Sequence, residues 1–183
     1  MHKDIERLVL SKKQIDAKVK EAAVWLDDKF KDATTPPLAI SVLRGSVFFA
    51  CDVVRTMKTA VQLDFLRVSS YGKATESSGE PKIVMDLSDS VEGRDVIIIE
   101  DIIDSGHTLR RLRELILGRG ASSLTVVALL DKPSRRKVAE KADFVCCEIE
   151  DEFVVGYGLD YAEQYRDLPF VGILKRKVYE NEK

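Results

Sequence analysis

The chain has 183 residues and a net charge of −2, from 29 Lys and Arg against 31 Asp and Glu. This length predicts one domain, the hydrophobic share of 45% excludes wholesale disorder, and the balanced charge argues against nucleic-acid or anionic-lipid partners. The longest apolar runs, such as 126–130, reach five residues, so we expect no membrane span. Charged residues interrupt positions 1–13 and leave no signal-peptide core, which predicts a cytoplasmic protein.

The chain contains three cysteines, none in a Cys-x-x-Cys pair, and two histidines. A disulfide framework, a structural zinc site and a multi-histidine metal site are therefore not expected. Any divalent metal would have to be held by oxygen ligands.

The first half of the chain alternates predicted helices and strands. Apolar residues three and four apart predict an amphipathic helix over 12–31. A strand over 38–43, a helix over 45–57 and a half-exposed strand over 61–68 follow. Residues 69–81 are rich in Ser and Gly, and a loop of this length between strands is typical of an active-site lid.

The second half continues this alternation with strands at 82–85, 95–99 and 124–130 and a helix at 105–119. Strands separated by helices indicate right-handed βαβ crossovers. The predicted fold class is α/β, a doubly wound and mainly parallel sheet in a single domain spanning 1–183. Beyond residue 144, short strands and turns predict a small accessory hood lobe, mostly from about 148–178.

The most informative stretch is Val-Ile-Ile-Ile-Glu-Asp-Ile-Ile-Asp-Ser-Gly-His-Thr-Leu at 96–109. It leads from a buried strand to a helix start, the edge at which open α/β sheets bind ligands. The free N–H groups and hydroxyls of 105–108 suit a phosphate, although an acid or hydroxyl here could simply cap the helix. Capping does not explain Glu100 and Asp101, because neighbouring carboxylates repel and favour a cation or ligand hydroxyls.

This stretch closely resembles the phosphoribosyl-diphosphate signature of the type I phosphoribosyltransferases. Leu-Arg-Gly-Ser at 43–46 resembles their pyrophosphate loop, and Ser-Ser-Tyr-Gly at 69–72 resembles the start of their flexible lid. Residues 153–161, followed by Arg166, are similar to the purine-binding segment of the hypoxanthine-guanine phosphoribosyltransferases. The resemblance implies transfer of a phosphoribosyl group from phosphoribosyl diphosphate to hypoxanthine or guanine, a reaction of purine salvage.

The resemblance also implies a role for each matching residue on the donor side. The ribose hydroxyls and Mg²⁺ would be held by Glu100 and Asp101, and Asp104 would accept the proton from purine N7. The 5′-phosphate would bind the turn that follows, with no catalytic role for its histidine side chain; the residues of this turn are Ser105, Gly106, His107 and Thr108. The expected lid residues are Ser70, Tyr71 and Gly72.

On the acceptor side, Lys132 would contact the purine 6-oxo group, Phe153 would stack on the ring, and backbone groups near Val154 would read its edge. Asp160, in the same purine segment, would ligate Mg²⁺. The pyrophosphate would be bound by Arg44, Gly45 and Arg166, with a cis peptide before the first of these. The alternative interpretations are membership of Lys132 in a solvated basic run, an ordinary core strand at 153–154, and a surface salt bridge for Asp160 and for Arg166.

The resemblance further implies Mg²⁺ as the cofactor, small-molecule substrates, and a homodimer or homotetramer. A competing hypothesis is a regulator that keeps the fold but binds RNA or senses nucleotides, since fold alone does not assign function. The retained Asp104, Lys132, Asp160 and Arg166 argue against it. Another base, such as xanthine or a pyrimidine, is a third possibility. The motifs of a P-loop kinase and of a hydrolase elbow are absent from the sequence.

Overall fold

The computed structural model describes residues 2–69 and 82–180. Within these ranges the main sheet consists of β2 (Leu38–Leu43), β3 (Gln62–Ser69), β4 (Lys82–Met85), β5 (Asp95–Ile103), β6 (Ser123–Asp131) and β7 (Phe144–Glu148). The strand order is β4-β3-β2-β5-β6-β7, and only the β3 to β4 pair is antiparallel. This mainly parallel sheet confirms the predicted α/β fold class.

Helices cover both faces of the main sheet. The helices α1 (Lys12–Lys29) and α2 (Val47–Thr56) pack on one face, and α3 (His107–Gly118) packs on the other. A last short helix, α4 (Arg176–Tyr179), lies near the end of the described chain. None of the helices in the described ranges is long and apolar enough to cross a bilayer.

The central strand β5 has both faces covered, as its run of β-branched residues predicts. Ile97 and Ile99 pack with α1 and α2, whereas Val96 and Ile98 pack with α3. All four side chains are fully buried. The strand therefore lies in the middle of the hydrophobic core, and the residues at its carboxyl end are held on a rigid element.

A second, smaller sheet has the antiparallel order β1-β9-β8, formed by β1 (Ile5–Leu10), β9 (Val171–Leu174) and β8 (Val154–Val155). Strand β1 was not predicted from the sequence. Its central residues Glu6, Arg7 and Leu8 are exposed, so the strand lacks the alternation that marks a half-buried strand. Its partner strand β9 lies near the other end of the chain, so the local sequence does not indicate the pairing.

Two features of the main sheet differ from the predictions. Strand β5 extends to Ile103, so Glu100 and Asp101 lie within the strand and not after it; the ladder continues because β6 runs alongside as far as Asp131. In addition, β7 belongs to the main sheet although no α-helix precedes it, since a single 3₁₀ turn at Pro133–Arg135 provides the crossover.

Candidate active site

A cavity of about 560 Å³ opens at the carboxyl edge of the main sheet, where β2 and β5 end side by side. This is the edge at which parallel α/β sheets bind ligands. The predicted site residues in its lining are Arg44, Gly45, Glu100, Asp101, Thr108, Asp160 and Arg166. Segments far apart in sequence therefore meet in one pocket, as the resemblance implies.

The acidic pair lies at the floor of this cavity. Glu100 is only 6% exposed. Burial raises the pKa of its carboxyl well above the usual value, and repulsion from Asp101 is a second, smaller cause of this rise. Burial likewise raises the pKa of Asp101 to about 6, although the Ile102 backbone N–H donates to its Oδ1 at 2.9 Å and opposes that rise. Both carboxylates would gain from a cation or from hydroxyl donors.

Because its pKa is raised in the folded state, Glu100 should reduce stability at neutral pH. A carboxyl whose folded pKa exceeds the unfolded value of about 4.3 lowers the free energy of unfolding as pH rises between the two values. We expect Glu100→Gln to raise Tm by at least about 2 °C at pH 7.5. Near pH 4 most of the gain should disappear, because Glu100 is then largely protonated in both states. Calorimetry at the two pH values measures this, and an unchanged Tm at pH 7.5 would contradict it.

The loop after β2 is in close contact with two other segments. The Leu43–Arg44 peptide is cis, in agreement with the expectation from the resemblance. A Cβ added to Gly45 would lie 1.6 Å from Oδ2 of Asp101, and one added to Gly158 would lie 2.0 Å from the Gly45 carbonyl oxygen. Glycine is therefore required where this loop meets β5 and the segment after β8.

The predicted pyrophosphate residues Arg44 and Arg166 are linked by Glu163, which the sequence analysis missed. Arg166 lies 2.9 Å from Asp160 Oδ1 and 3.2 Å from Glu163 Oε2, and it donates to the Gly158 carbonyl at 2.7 Å. The other carboxylate oxygen of Glu163 pairs with Arg44. Its position three residues before Arg166 was the only signal in the sequence. One carboxylate thus pairs with both of the arginines that are predicted to bind the diphosphate.

Glu163→Gln is expected to strengthen pyrophosphate binding about threefold, because the anion no longer competes with a carboxylate; exposed ion pairs are weak, which keeps the gain modest. Calorimetric titration of pyrophosphate measures it. The matched control is Asp167→Asn, which removes the same charge from the same segment, since Asp167 is exposed and pairs with neither arginine in the described structure. Equal gains in both variants would show a general charge effect instead.

The turn between β5 and α3 carries the expected proton acceptor. Arg135 donates to Asp104 Oδ1 at 2.9 Å and also lies 3.3 Å from Asp151 Oδ2. Gly106 has a left-handed φ of 88° and precedes the first residue of α3, which is His107. The turn is therefore shaped to present backbone groups at a helix start, the position that suits a phosphate.

Lys132 and Phe153, the residues predicted to bind the purine, lie beyond the lining of the 560 Å³ cavity, as does Asp104. Lys132 is 8% exposed, so the interpretation as part of a solvated basic run is wrong. Burial lowers the pKa of its ammonium, while the charges of Asp104 and Asp151 raise it. Phe153 is 38% exposed and stacks on Tyr179 at 5.1 Å between ring centroids.

The remaining predicted residues have simple placements. Val154 is buried in β8, and Ser105 precedes the helix with a backbone carbonyl that accepts from Lys137 N at 2.9 Å. The expected lid residues Ser70, Tyr71 and Gly72 lie outside the described residues. Residues that sequence reasoning missed include Arg67 and Val84, which line the cavity from β3 and β4.

The edge of this mainly parallel sheet combines a buried acidic pair, a helix-start turn and two arginines around one cavity, an arrangement typical of enzymes that handle a phosphorylated sugar. Residues 9–162 match the model of the phosphoribosyl transferase domain. A hypoxanthine-guanine phosphoribosyltransferase of Bacillus subtilis is 55% identical over 181 residues, which cover 99% of both chains. The chain therefore belongs to the phosphoribosyltransferase family, in the branch of the hypoxanthine-guanine phosphoribosyltransferases.

Solved structures agree with this assignment and with the predicted family. A hypoxanthine phosphoribosyltransferase of Staphylococcus aureus is 44% identical with a TM-score of 0.91, covering 98% of this chain and 96% of that one. A hypoxanthine phosphoribosyl transferase of Trypanosoma cruzi is 36% identical with a TM-score of 0.93, covering 99% of this chain and 97% of that one. The latter structure concerns the role of the C-terminal region in that enzyme's oligomeric state and activity.

Proposed function

We propose that this chain transfers the 5-phosphoribosyl group from phosphoribosyl diphosphate to hypoxanthine, guanine or both, giving IMP or GMP and pyrophosphate in purine salvage. The single observation that carries the proposal is the cavity that brings Glu100, Asp101, Arg44 and Arg166 together beside the helix-start turn. Family membership supports the reaction class, and the B. subtilis relative supports a 6-oxopurine as the acceptor.

The donor would lie along the sheet edge in an extended orientation. The 5′-phosphate would bind the turn 105–108, where free N–H groups and the positive end of the α3 dipole favour an anion. The ribose hydroxyls would bind the acidic pair on β5. Arg44 and Arg166 would bind the pyrophosphate, and the planar donor fork of Arg166 suits its oxygens.

Mg²⁺ is part of this proposal, with Glu100, Asp101 and Asp160 as the residues that would hold it. The donor set fits, because the acidic pair presents hard oxygen ligands whose pKa values are raised chiefly by burial, and a cation would offset the cost of burying their charge. In the described ranges no group of three or more Asp, Glu, His or Cys side chains is placed to hold a metal ion by itself, so these carboxylates would need further ligands, which Mg²⁺ typically takes from substrate phosphates and water. When bound, it would neutralise charge that develops on the leaving diphosphate.

The transfer would be a direct displacement with inversion at C1′, in which N9 of the purine attacks as the C1′–pyrophosphate bond breaks. Asp104 would accept the proton from N7 as the purine becomes nucleophilic. Lys132, buried beside the Asp104 and Asp151 charges, would hold the 6-oxo group. The partly exposed ring of Phe153 would stack on the base. Closure of the predicted lid at 69–81 would exclude water from the activated sugar.

Lys132→Ala is expected to raise KM for the purine base about tenfold while KM for phosphoribosyl diphosphate stays within about twofold, because only the base contacts the ammonium. Steady-state kinetics with each substrate varied in turn measure the two constants. The control is Lys137→Ala, an exposed lysine of the same basic segment, which should leave both unchanged. Equal increases in both KM values would remove Lys132 from the purine site.

The proposed activity is tested by mixing the protein with phosphoribosyl diphosphate, Mg²⁺ and each of hypoxanthine, guanine and xanthine, then measuring pyrophosphate release. Release that depends on a 6-oxopurine supports the proposal. No release with any base would favour the regulator hypothesis.

We also propose that the protein forms a homodimer or homotetramer and is located in the cytoplasm. Sedimentation velocity measures the number of subunits. The solved structure of the T. cruzi relative concerns the oligomeric state of that enzyme.

A further inference from the structure

The back of the turn after β5 packs against residues 136–138. Arg136 donates through Nη1 to the backbone carbonyl of Asp104 and through Nη2 to the carboxylate of Asp131. The backbone N–H groups of Lys137 and Val138 donate to the carbonyl of Ser105 at 2.9 and 3.4 Å. Two successive carbonyls of the turn are therefore held from the same side.

Holding these carbonyls also sets the direction of the amides that follow them. The Leu43–Arg44 bond is the only cis peptide in the described residues, so the peptides on both sides of Ser105 are trans. A planar trans peptide carries its C=O and N–H on opposite sides. The N–H groups of Ser105 and Gly106 consequently point away from 136–138. Successive amides of this kind form a concave anion site, and Thr108 just beyond them lines the cavity.

Arg136 is itself firmly held. Its side chain is 15% exposed, and that of its partner Asp131 is 12% exposed. Asp131 is the last residue of β6 and lies in register with Ile103 of β5. A Cβ added to Gly106 would lie 2.9 Å from Val138 Cγ2 and 3.0 Å from Arg136 Cδ. The guanidinium is thus anchored to the sheet while its stem supports the turn.

We propose that Arg136 is a positioning residue for the 5′-phosphate site. Anchored by Asp131, it fixes the carbonyl of Asp104 and thereby aims the Ser105 and Gly106 amides at the phosphate. It acts through the turn and contacts no ligand itself. This inference rests on the proposed function and adds to it a residue that the sequence analysis placed only in a basic run.

The test compares Arg136→Met and Arg136→Lys with Arg113→Met. Arg113, a residue of α3, is the matched control because its Nε lies 3.1 Å from Glu140 Oε2 in another partly buried ion pair, and its other hydrogen bond goes to the Lys141 carbonyl and not to the turn. GMP and inorganic pyrophosphate are titrated calorimetrically in the presence of Mg²⁺. We expect Arg136→Met to weaken GMP binding about tenfold and pyrophosphate binding less than about twofold. Arg136→Lys should lose part of the GMP affinity, because one ammonium cannot reproduce the fork.

A residue that only stabilised the fold would weaken both ligands equally, so equal losses overturn the inference. Unchanged GMP binding in the Arg136 variants, or an equal GMP loss in Arg113→Met, also overturns it. If the methionine variant does not fold, the lysine variant decides by the same comparison of GMP with pyrophosphate. Wild-type protein that shows no turnover and binds neither ligand would contradict the proposed function, whereas an active wild type with unaffected variants contradicts only the role of Arg136.

Discussion

Asp104→Asn is expected to lower kcat about a hundredfold or more while GMP and phosphoribosyl diphosphate still bind. A positioned general base contributes roughly 10²–10⁴ to the rate, and the amide keeps the shape of the side chain but cannot accept the N7 proton. The folded state should hardly change, since the ion pair with Arg135 is exposed and such pairs contribute about 1 kcal/mol at most. Steady-state kinetics and calorimetric titration measure the two effects separately.

Asp151→Asn is the matched control, because Asp151 pairs with the same Arg135 at 3.3 Å. It removes an equal charge from the same cluster without removing the proposed base, so kcat should stay within about threefold of wild type. If the two variants lost activity equally, the loss would come from the charge cluster around Arg135. Full turnover in Asp104→Asn would show that the base lies elsewhere.

Gly158→Ala is expected to abolish most donor binding and to destabilise the fold by about 2 kcal/mol or more. The new methyl group would lie 2.0 Å from the Gly45 carbonyl oxygen, and the φ of Gly158 is +102°. Backbone atoms cannot yield as a flexible side chain can, so the loop after β2 and the segment after β8 must separate. We expect kcat/KM for phosphoribosyl diphosphate to fall about a hundredfold or more.

The control for this change is Gly118→Ala, at the last residue of α3, where an added Cβ meets nothing within 4 Å. Alanine is the better helix former, so stability should rise by up to about 1 kcal/mol and activity should not change. Chemical denaturation and steady-state kinetics on both variants measure the contrast. Activity near the wild-type level in Gly158→Ala would contradict the close packing of the two segments around the pyrophosphate site.

The main sheet and its faces could be predicted because their signals are local. The β-branched run before Glu100 predicts a strand covered on both faces, and the buried residues of α1, such as Ile15 and Leu26, follow helical spacing. The acidic pair and the helix-start turn are neighbours in sequence, so their shared position at the sheet edge also follows from the parallel topology.

The features that could not be predicted depend on contacts between distant residues. Strand β1 is recognisable only through its pairing with β9, and Glu163 matters only because the fold brings Arg44 to it. Arg136 lies in a basic segment whose charge predicts exposure to solvent, yet its side chain is largely buried and pairs with Asp131 at the end of β6. Local periodicity carries no information about such pairs, because tertiary packing decides them.

We propose that one edge of the sheet binds the 5′-phosphate and the pyrophosphate at opposite ends of a single site. A crystal structure of the protein with GMP, pyrophosphate and Mg²⁺ tests it most directly. We expect the nucleotide phosphate to bind the amides of Ser105 and Gly106, and the pyrophosphate to lie between Arg44 and Arg166, with Glu163 displaced. Ligands bound at a different edge of the sheet, or a phosphate that contacts neither the turn nor the two arginines, would contradict it.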